Sequence, residues 1–446
     1  VKKSNLTNWI LGIIVGLVVY LIPLSGINEA AHRCLAIFVW AIFMWVSEAL
    51  PLFVTALAIL FFESLLLKPV LNVPLEKFFS PFFSSTIALF MGGLVLADTL
   101  QKYHIDEMLA HRLLKRAGKN PASLLLMMIL TTAFISMWMS NTAATAMMMA
   151  IAVSVTRNIS ADDPFRKSMI LGIPVAANIG GMGTPVGTPP NAVALQFLNK
   201  GEMHVSFVKW MIITVPIMIL LLIVSWRLLL YFFPPRAHSA DLPLLSGEKL
   251  DRRQKSVLTI FAITLILWLT EPWHGLKSGV VALVPVILVF GGNLLNPGDF
   301  RKIEWDILFL LGGGMTLGAA VEDSGLSKYV IGMLSLDGVS PYLLFIILTS
   351  FTVLLSTFIS HTSAANILIP MAAGLQQTSA GIISLGIGLA SSLAMSLPIS
   401  TPPNAIAFGS GQITIKEMFK VGLIIGLIGL ALLASGGYIW FKLFKL

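Results

Sequence analysis

Charge is what this sequence has least of. Of its 446 residues only 11% are Asp, Glu, Lys or Arg and 57% are hydrophobic, whereas soluble domains average about 25% charged. That balance excludes a soluble all-helical enzyme. Cysteine is nearly absent: Cys34 stands alone, so neither a disulfide framework nor a cysteine metal cluster is available. Long polar stretches are missing too. The longest, roughly 234–255, is too short for a separate folded domain and divides the chain into halves. The net charge of +8 is no nucleic-acid signal, because the basic residues lie in short loops between apolar runs, where they set topology. No nucleic-acid partner is expected.

What is present is a series of long apolar runs. Segments 9–24, 34–46, 211–224 and 257–269 are almost free of charge and read as membrane helices. The lipid bilayer is therefore the first partner. Lys2 and Lys3 before an apolar run suggest a signal peptide, but no small-residue cleavage pattern comes after them, and 9–24 reads as a retained first span.

The chain also says nearly the same thing twice. Ser140-Asn141-Thr142 is followed by Thr188-Pro189-Pro190-Asn191, and Ser360-His361-Thr362 by Thr401-Pro402-Pro403-Asn404. Phe90-Met91-Gly92-Gly93 matches Leu310-Leu311-Gly312-Gly313, and Phe207-Val208-Lys209 resembles Phe419-Lys420-Val421. Polar triplets and double prolines are costly in lipid unless they line a cavity. Their recurrence in corresponding places of two halves points to a transporter's binding site.

Loop charge gives the orientation. The connection after Leu100 carries Lys102, Arg112, Lys115, Arg116 and Lys119, whereas its counterpart after Val321 carries Glu322, Asp323 and Asp337 against Lys328. Basic loops stay inside, so equivalent loops face opposite sides, which defines an inverted-topology repeat. Basic flanks on both sides of 122–155 favour a re-entrant hairpin entering from inside, and the lack of a basic flank on 342–373 favours one entering from outside. The expected fold is an all-α polytopic membrane protein with eleven transmembrane helices plus two opposed re-entrant hairpins in two inverted-topology repeats. Spans fall near 9–24, 33–49, 51–67, 80–99, 168–195, 207–232, 255–270, 278–294, 304–320, 381–407 and 421–441. In domain terms, an N-terminal transmembrane helix occupies 1–32. A first repeat occupies 33–233, with scaffold helices, an inner hairpin at 121–156 and a broken helix at 168–195. A cytoplasmic connection spans 234–254. A second repeat occupies 255–446, with an outer hairpin at 341–376 and a broken helix at 381–407. The N-terminus is then cytoplasmic and the C-terminus external, with Lys442 and Lys445 outside against the rule.

Pro189-Pro190 and Pro402-Pro403 remove backbone donors, and Gly180, Gly181, Gly183 and Gly187 loosen the first break further. Broken helices present carbonyls to one side and amides to the other. Carbonyls with Ser, Thr and Asn oxygens suit a hard cation such as sodium, and half-helix N-termini suit an anion. No Arg or Lys falls deep within these segments, so a bound divalent anion would need dipoles, hydroxyls and co-bound cations. His361 stands where the first half has Asn141. Two readings stay open: a neutral imidazole bonded to a backbone carbonyl, or a protonated one that substitutes for the second cation. Glu48, Glu63, Asp98, Lys209, Arg227 and Glu271 are expected at span ends as structural charges, with the tryptophans at 9, 210, 226, 273, 305 and 440 as an aromatic belt.

These paired motifs resemble the divalent anion/sodium symporter family, whose members carry dicarboxylates, citrate or sulfate. The resemblance runs from about the second span to the C-terminus. It implies a homodimer in which a transport domain moves as an elevator against a scaffold. By motif position it implies a first sodium site at Ser136, Ser140, Asn141 and the Gly187 carbonyl, and a second at Ser356, Ser360, His361 and the Ser400 carbonyl. Substrate would meet Asn141 and Thr142 on one side and His361 and Thr362 on the other, with Thr188-Pro189 and Thr401-Pro402 closing the site. The expected function is sodium-coupled symport of C4-dicarboxylates such as succinate, malate and fumarate, with sodium as coupling ion rather than catalytic cofactor. The rivals are a sodium-independent di- or tricarboxylate exchanger, and sulfate or phosphate uptake. No enzymatic activity is expected: Ser140 with His361 could pair as nucleophile and base, but neither an oxyanion elbow nor an orienting acid accompanies them. The short loops and basic inner faces suggest a bacterial inner membrane.

Overall fold

A computed structural model describes residues 3–157, 159–199, 204–236, 250–333, 339–375 and 380–444, and among these every regular element is a helix. Lys2, most of the 234–254 connection with Lys249, Asp337, position 376 at the end of the second hairpin, and Lys445 lie outside the described residues.

The first helices are α1 (Lys3–Leu21), α2 (Glu29–Ser47) and α3 (Leu52–Leu71). Asn28 opens α2 by accepting from the Ala31 amide at 2.8 Å. Glu48 ends it in the left-handed region at φ 46°, and Pro51 stands at the N-cap of α3 three residues on. Helix α4 (Ser85–Lys102), capped by Ser84, leads to the short amphipathic α5 (Ile105–Leu114). Two antiparallel pairs dominate the rest of the chain. The first is α6 (Pro121–Ser136) with α7 (Asn141–Thr156), then α8 (Phe165–Gly181), α9 (Pro189–Leu198) and α10 (Phe207–Phe232). After α11 (Arg252–Leu269), α12 (Ser278–Gly291), α13 (Trp305–Asp323) and α14 (Leu326–Met333) comes the second pair, α15 (Pro341–Phe358) with α16 (His361–Leu375). Then α17 (Ala380–Ser391), α18 (Pro402–Gly409) and α19 (Ile415–Leu443) close the chain.

Packing is reciprocal between the halves. The α6–α7 pair lies against α8, and the α15–α16 pair against α17. Each second arm then crosses to the other half: α7 packs on α18, and α16 on α9. Helices α3 and α13 form the main contact outside this group, and α12 packs on α4. Backbones approach closely at a few glycines. A Cβ on Gly180 would fall 2.5 Å from the Ala133 backbone, so only glycine lets α8 lie so near α6.

Seven helical segments among the described residues are long and apolar enough to cross a membrane: α2, α3, Glu76–Lys102 ending in α4, α10, α13, α15 and α19. The apolar segment Leu6–Leu21 of α1 and the apolar helices α6, α7, α12 and α17 are shorter. Large apolar side chains remain exposed, including Leu17, Ile219, Ile266, Leu354 and Leu427, as expected where the solvent is lipid rather than water.

Two local expectations are corrected. Glu63 does not sit at a span end. Helix α3 continues past it through a π turn at Glu63–Leu67, and its carboxylate is fully buried, accepting from Thr316 Oγ1 of α13 at 2.7 Å. The π turn widens the helix by one residue and turns the carboxylate toward α13 instead of lipid. Trp210 is likewise no belt residue. It is fully buried and donates from Nε1 to the Met182 carbonyl at 3.1 Å.

Candidate functional site

The double prolines explain the two breaks. Helix α8 stops at Gly181, and Pro189-Pro190 begin α9; α17 stops at Ser391, and Pro402-Pro403 begin α18. Proline at a helix start loses only an amide that has no intrahelical partner. The prolines therefore start the second half-helix instead of kinking a continuous one. The freed carbonyls of the first break are met by side chains. Asn191 Nδ2 donates to Gly181 and Thr184 carbonyls, both at 2.8 Å, Trp210 Nε1 to Met182, and Thr214 Oγ1 to Gly183 at 3.4 Å. Gly187 folds back so tightly that a Cβ there would lie 2.4 Å from the Gly181 oxygen. At the second break Asn404 Nδ2 donates to the Leu397 carbonyl at 2.9 Å.

The tips of the α6–α7 and α15–α16 pairs line one cavity with these breaks. Ser140 caps α7 by accepting from the Ala143 amide at 3.3 Å, and Ser360 caps α16 by accepting from Ser363 at 3.2 Å. Thr188 precedes α9 in extended conformation, and Thr401 caps α18 by accepting from Asn404 at 3.3 Å. Four helix N-termini thus gather around one cavity of about 300 Å³. Its wall contains Ser140, Asn141, Thr142, Gly187, Thr188 and Pro189 from the first half. Ser360, His361, Thr362, Ser400, Thr401 and Pro402 come from the second. Phe90, Gly93, Leu94 and Ala97 of α4, with Leu52, Glu304 and Ile307, form the opposing side.

Ser136 and Ser356 are not in the wall. Each is fully buried behind its tip. Ser136 Oγ lies 2.6 Å from Asn141 Oδ1 and 2.9 Å from the Ala177 carbonyl. Ser356 Oγ has no hydrogen-bond partner among the described residues. An oxygen with unused lone pairs, buried beside a polar tip, fits a cation ligand. The donor set is neutral hydroxyl, amide and carbonyl oxygen, which suits a hard monovalent ion. Among the described residues no cluster of His, Cys, Asp or Glu is arranged to hold a metal.

His361 is buried, with Nε2 at 3.0 Å from the Ala394 carbonyl. A carbonyl only accepts, so Nε2 carries the hydrogen, and Nδ1 is left with a lone pair or, on protonation, a second N–H. Among the described residues no Arg or Lys lines the cavity, and Glu304, exposed at the start of α13, is its one formally anionic side chain. The positive potential available to an anion therefore comes from backbone amides at the helix N-termini.

Sequence reasoning missed several residues. Asn178, fully buried in α8, lines the cavity and reaches Thr401 and Asn404. An asparagine inside an otherwise apolar run was its visible signal. Asn191 and Asn404 stood inside the motifs without a role. Trp138 lines the cavity from the first tip and stacks toward Phe207 at 6.2 Å between centroids, and nothing in its sequence neighbourhood marked it.

A polytopic helical bundle whose broken helices and hairpin tips surround a polar cavity defines a membrane transporter rather than an enzyme. Residues 3–446 match the profile of the sodium:sulfate symporter transmembrane region, and the chain belongs to that family. A sodium-dependent dicarboxylate transporter, SdcS of Staphylococcus aureus, is 32% identical over 483 residues, covering 96% of this chain and 90% of its own length. An uncharacterized transporter of Haemophilus influenzae is 33% identical, covering 92% of each chain. Among solved structures, the YdaH transporter of Alcanivorax borkumensis superposes with a TM-score of 0.58 at 16% identity, covering 82% of this chain and 87% of its own. The antimetabolite efflux pump MtrF of Neisseria gonorrhoeae superposes at 0.56 and 10% identity, covering 98% and 94%. At such identities these two speak for the fold alone.

Proposed function

We propose that this chain is a sodium-coupled secondary transporter of C4-dicarboxylates such as succinate, malate and fumarate. The observation that carries the reading is the convergence of the α7, α9, α16 and α18 N-termini on one cavity without Arg or Lys. Amide dipoles alone hold a divalent anion weakly, so co-bound cations raise substrate affinity, and by linkage substrate raises cation affinity. That reciprocity is the physical basis of coupling. One carboxylate meets Asn141 and Thr142, the other Thr362, and Thr188-Pro189 with Thr401-Pro402 close the cavity between them. Ser136, Ser140, Asn141 and the Gly187 carbonyl hold one sodium ion. Ser356, Ser360, His361 and the Ser400 carbonyl form the second cation nest. The dicarboxylate class is supported by the SdcS relatives.

The mechanism we infer is an elevator within a homodimer. Helices α6–α10 and α15–α19 form two inverted-topology halves of the moving body, each with a re-entrant hairpin, and α1–α4 with α11–α13 form the scaffold. The cavity's scaffold wall includes Leu52, Ala97 and Glu304, which lie at helix ends assigned to the cytoplasm by loop charge. On that assignment the described state is inward-open, in a bacterial inner membrane with the N-terminus inside and the C-terminus outside.

His361 favours a second reading, sodium-independent exchange. Its Nδ1 can carry a proton where the first tip has a neutral amide, and a fixed positive charge would replace one coupling ion. Radiolabelled succinate uptake into proteoliposomes separates the two. Sodium-driven accumulation into empty vesicles is expected. Uptake that ignores sodium and requires internal dicarboxylate would overturn symport in favour of exchange, and uptake of sulfate alone would overturn the substrate class.

A further inference from the structure

Asn178 is an asymmetric feature of this cavity. When Thr188–Asn191 is aligned on Thr401–Asn404, Asn178 corresponds to Ser391, whose Oγ turns into its own helix and bonds the Gly388 carbonyl at 2.7 Å. Asn178 instead crosses to the other half: Nδ2 donates to Thr401 Oγ1 at 3.4 Å and to Asn404 Oδ1 at 3.3 Å. Its orientation is fixed. Asn404 Nδ2 is committed to the Leu397 carbonyl, so Asn404 presents an oxygen, and Asn178 must face it with nitrogen. Asn178 Oδ1 is thereby turned away, fully buried, and has no hydrogen-bond partner among the described residues.

The neighbourhood says what that oxygen is for. Asn178 comes directly after Ala177, whose carbonyl accepts from Ser136 Oγ beside Asn141 Oδ1. It lies one helical turn before Gly181, over which the Asn141 amide sits: a Cβ on Gly181 would fall 2.7 Å from Asn141 Oδ1. Asn178 therefore borders the first group of neutral oxygens while also lining the cavity. A buried acceptor oxygen with no donor, on a residue that lines the proposed anion cavity, repels such an anion unless a cation lies between them.

We propose that Asn178 Oδ1 is a further ligand of a coupling cation, and that its amide transmits the cation's charge to the second break. A cation on Oδ1 polarises the carboxamide and strengthens donation from Nδ2 to Thr401 and Asn404. Thr401 is thereby fixed for the substrate at the far side of the cavity. One side chain then links cation occupancy in one half to substrate geometry in the other. The proposal rests on the sodium-coupled reading above.

The test is thermal unfolding of the purified full chain in sodium chloride against choline chloride, without substrate, followed by succinate affinity at low and high sodium. Wild type is expected to be stabilised by sodium. Asn178→Ala should raise the sodium half-saturation about tenfold and flatten the sodium dependence of succinate affinity. Asn178→Asp, which keeps an oxygen at the same place, should bind sodium at or below the wild-type midpoint. An unchanged midpoint in Asn178→Ala, or an Asp variant as impaired as the Ala variant, overturns the proposal and leaves Asn178 a tie between helices. Should the Ala variant fail to fold, a midpoint above wild type in the Asp variant overturns it equally. A wild type stabilised by succinate but indifferent to sodium would instead sink the sodium-coupled reading itself.

Discussion

At the tip between α6 and α7, Ser136 Oγ lies against Asn141 Oδ1 and the Ala177 carbonyl. At the tip between α15 and α16, Ser356 Oγ is just as buried and bonds nothing among the described residues. In both, a serine caps the second arm and a threonine stands two residues on, but α6 ends at Ser136 while α15 runs past Ser356 to Phe358. The side chain after the capping serine differs as well. The Asn141 amide is short enough to turn back on Ser136, whereas the His361 ring reaches past to the Ala394 carbonyl and leaves Ser356 alone. A repeated motif thus fixes where helices begin, while a single side chain decides which oxygens remain for a cation. The breaks differ in the same sense. Three side chains meet the carbonyls of the first, and Asn404 and His361 those of the second.

The sharpest attack on this comparison is at the breaks. Asn191→Ala strands the Gly181 carbonyl, at about 1–3 kcal/mol for an unsatisfied group, leaves the Thr184 carbonyl only the Gly187 amide at 3.3 Å, and should lower stability beyond Asn404→Ala. Thermal unfolding of the two variants in one detergent measures it; equal losses would show that the breaks are held alike. At the tips, Ser136→Ala removes a bonded hydroxyl and should cost about 1 kcal/mol. Ser356→Ala removes an unbonded one and should leave sodium-free stability unchanged while weakening the sodium response. Equal sodium-free losses would erase the distinction between the tips. His361→Asn copies the first tip onto the second. Sodium half-saturation of uptake should then fall about tenfold, within the range of coupling effects, and the sodium dependence should steepen. An unaltered sodium dependence would reduce His361 to a backbone anchor.

A pair remote from both tips sets the floor. Lys102 Nζ lies 2.7 Å from Asp299 Oδ2, and that hydrogen bond holds the Asp299 carboxyl below its ordinary value. A lowered carboxylate pKa stabilises the fold above the unfolded value of about 4, and the contribution fades as pH falls through the lowered one. The group is exposed to solvent screening, so Asp299→Asn should cost no more than about 1 kcal/mol at neutral pH. It should cost less still in acid, read as the pH dependence of the unfolding midpoint.

Much of the site was legible because membrane interiors punish polarity. Asn141, Thr142, Thr188, His361, Thr362 and Thr401 stood out against apolar runs, and all six line the one cavity. The double prolines were legible as interruptions, though their place at the start of α9 and α18 was not, since proline marks a boundary without saying which side is helical. Glu63 and Trp210 were misplaced for a common reason. Sequence position near a span end suggests an interface, but Thr316 and the Met182 carbonyl, far away in the chain, offered partners in the interior.

The sequence by itself determined that this chain lives in a bilayer, that its two halves match, and which polar triplets and breaks carry the chemistry. Each of these comes from local hydrophobicity and backbone rules that act over a few residues. Only the tertiary structure decided that α7 meets α18 and α16 meets α9, that Ser136 is bonded and Ser356 is not, and that Asn178 spans the halves. Those outcomes depend on hydrogen-bond partners more than 200 residues apart for Asn178 and on which oxygen wins each donor. A linear pattern carries no record of that competition.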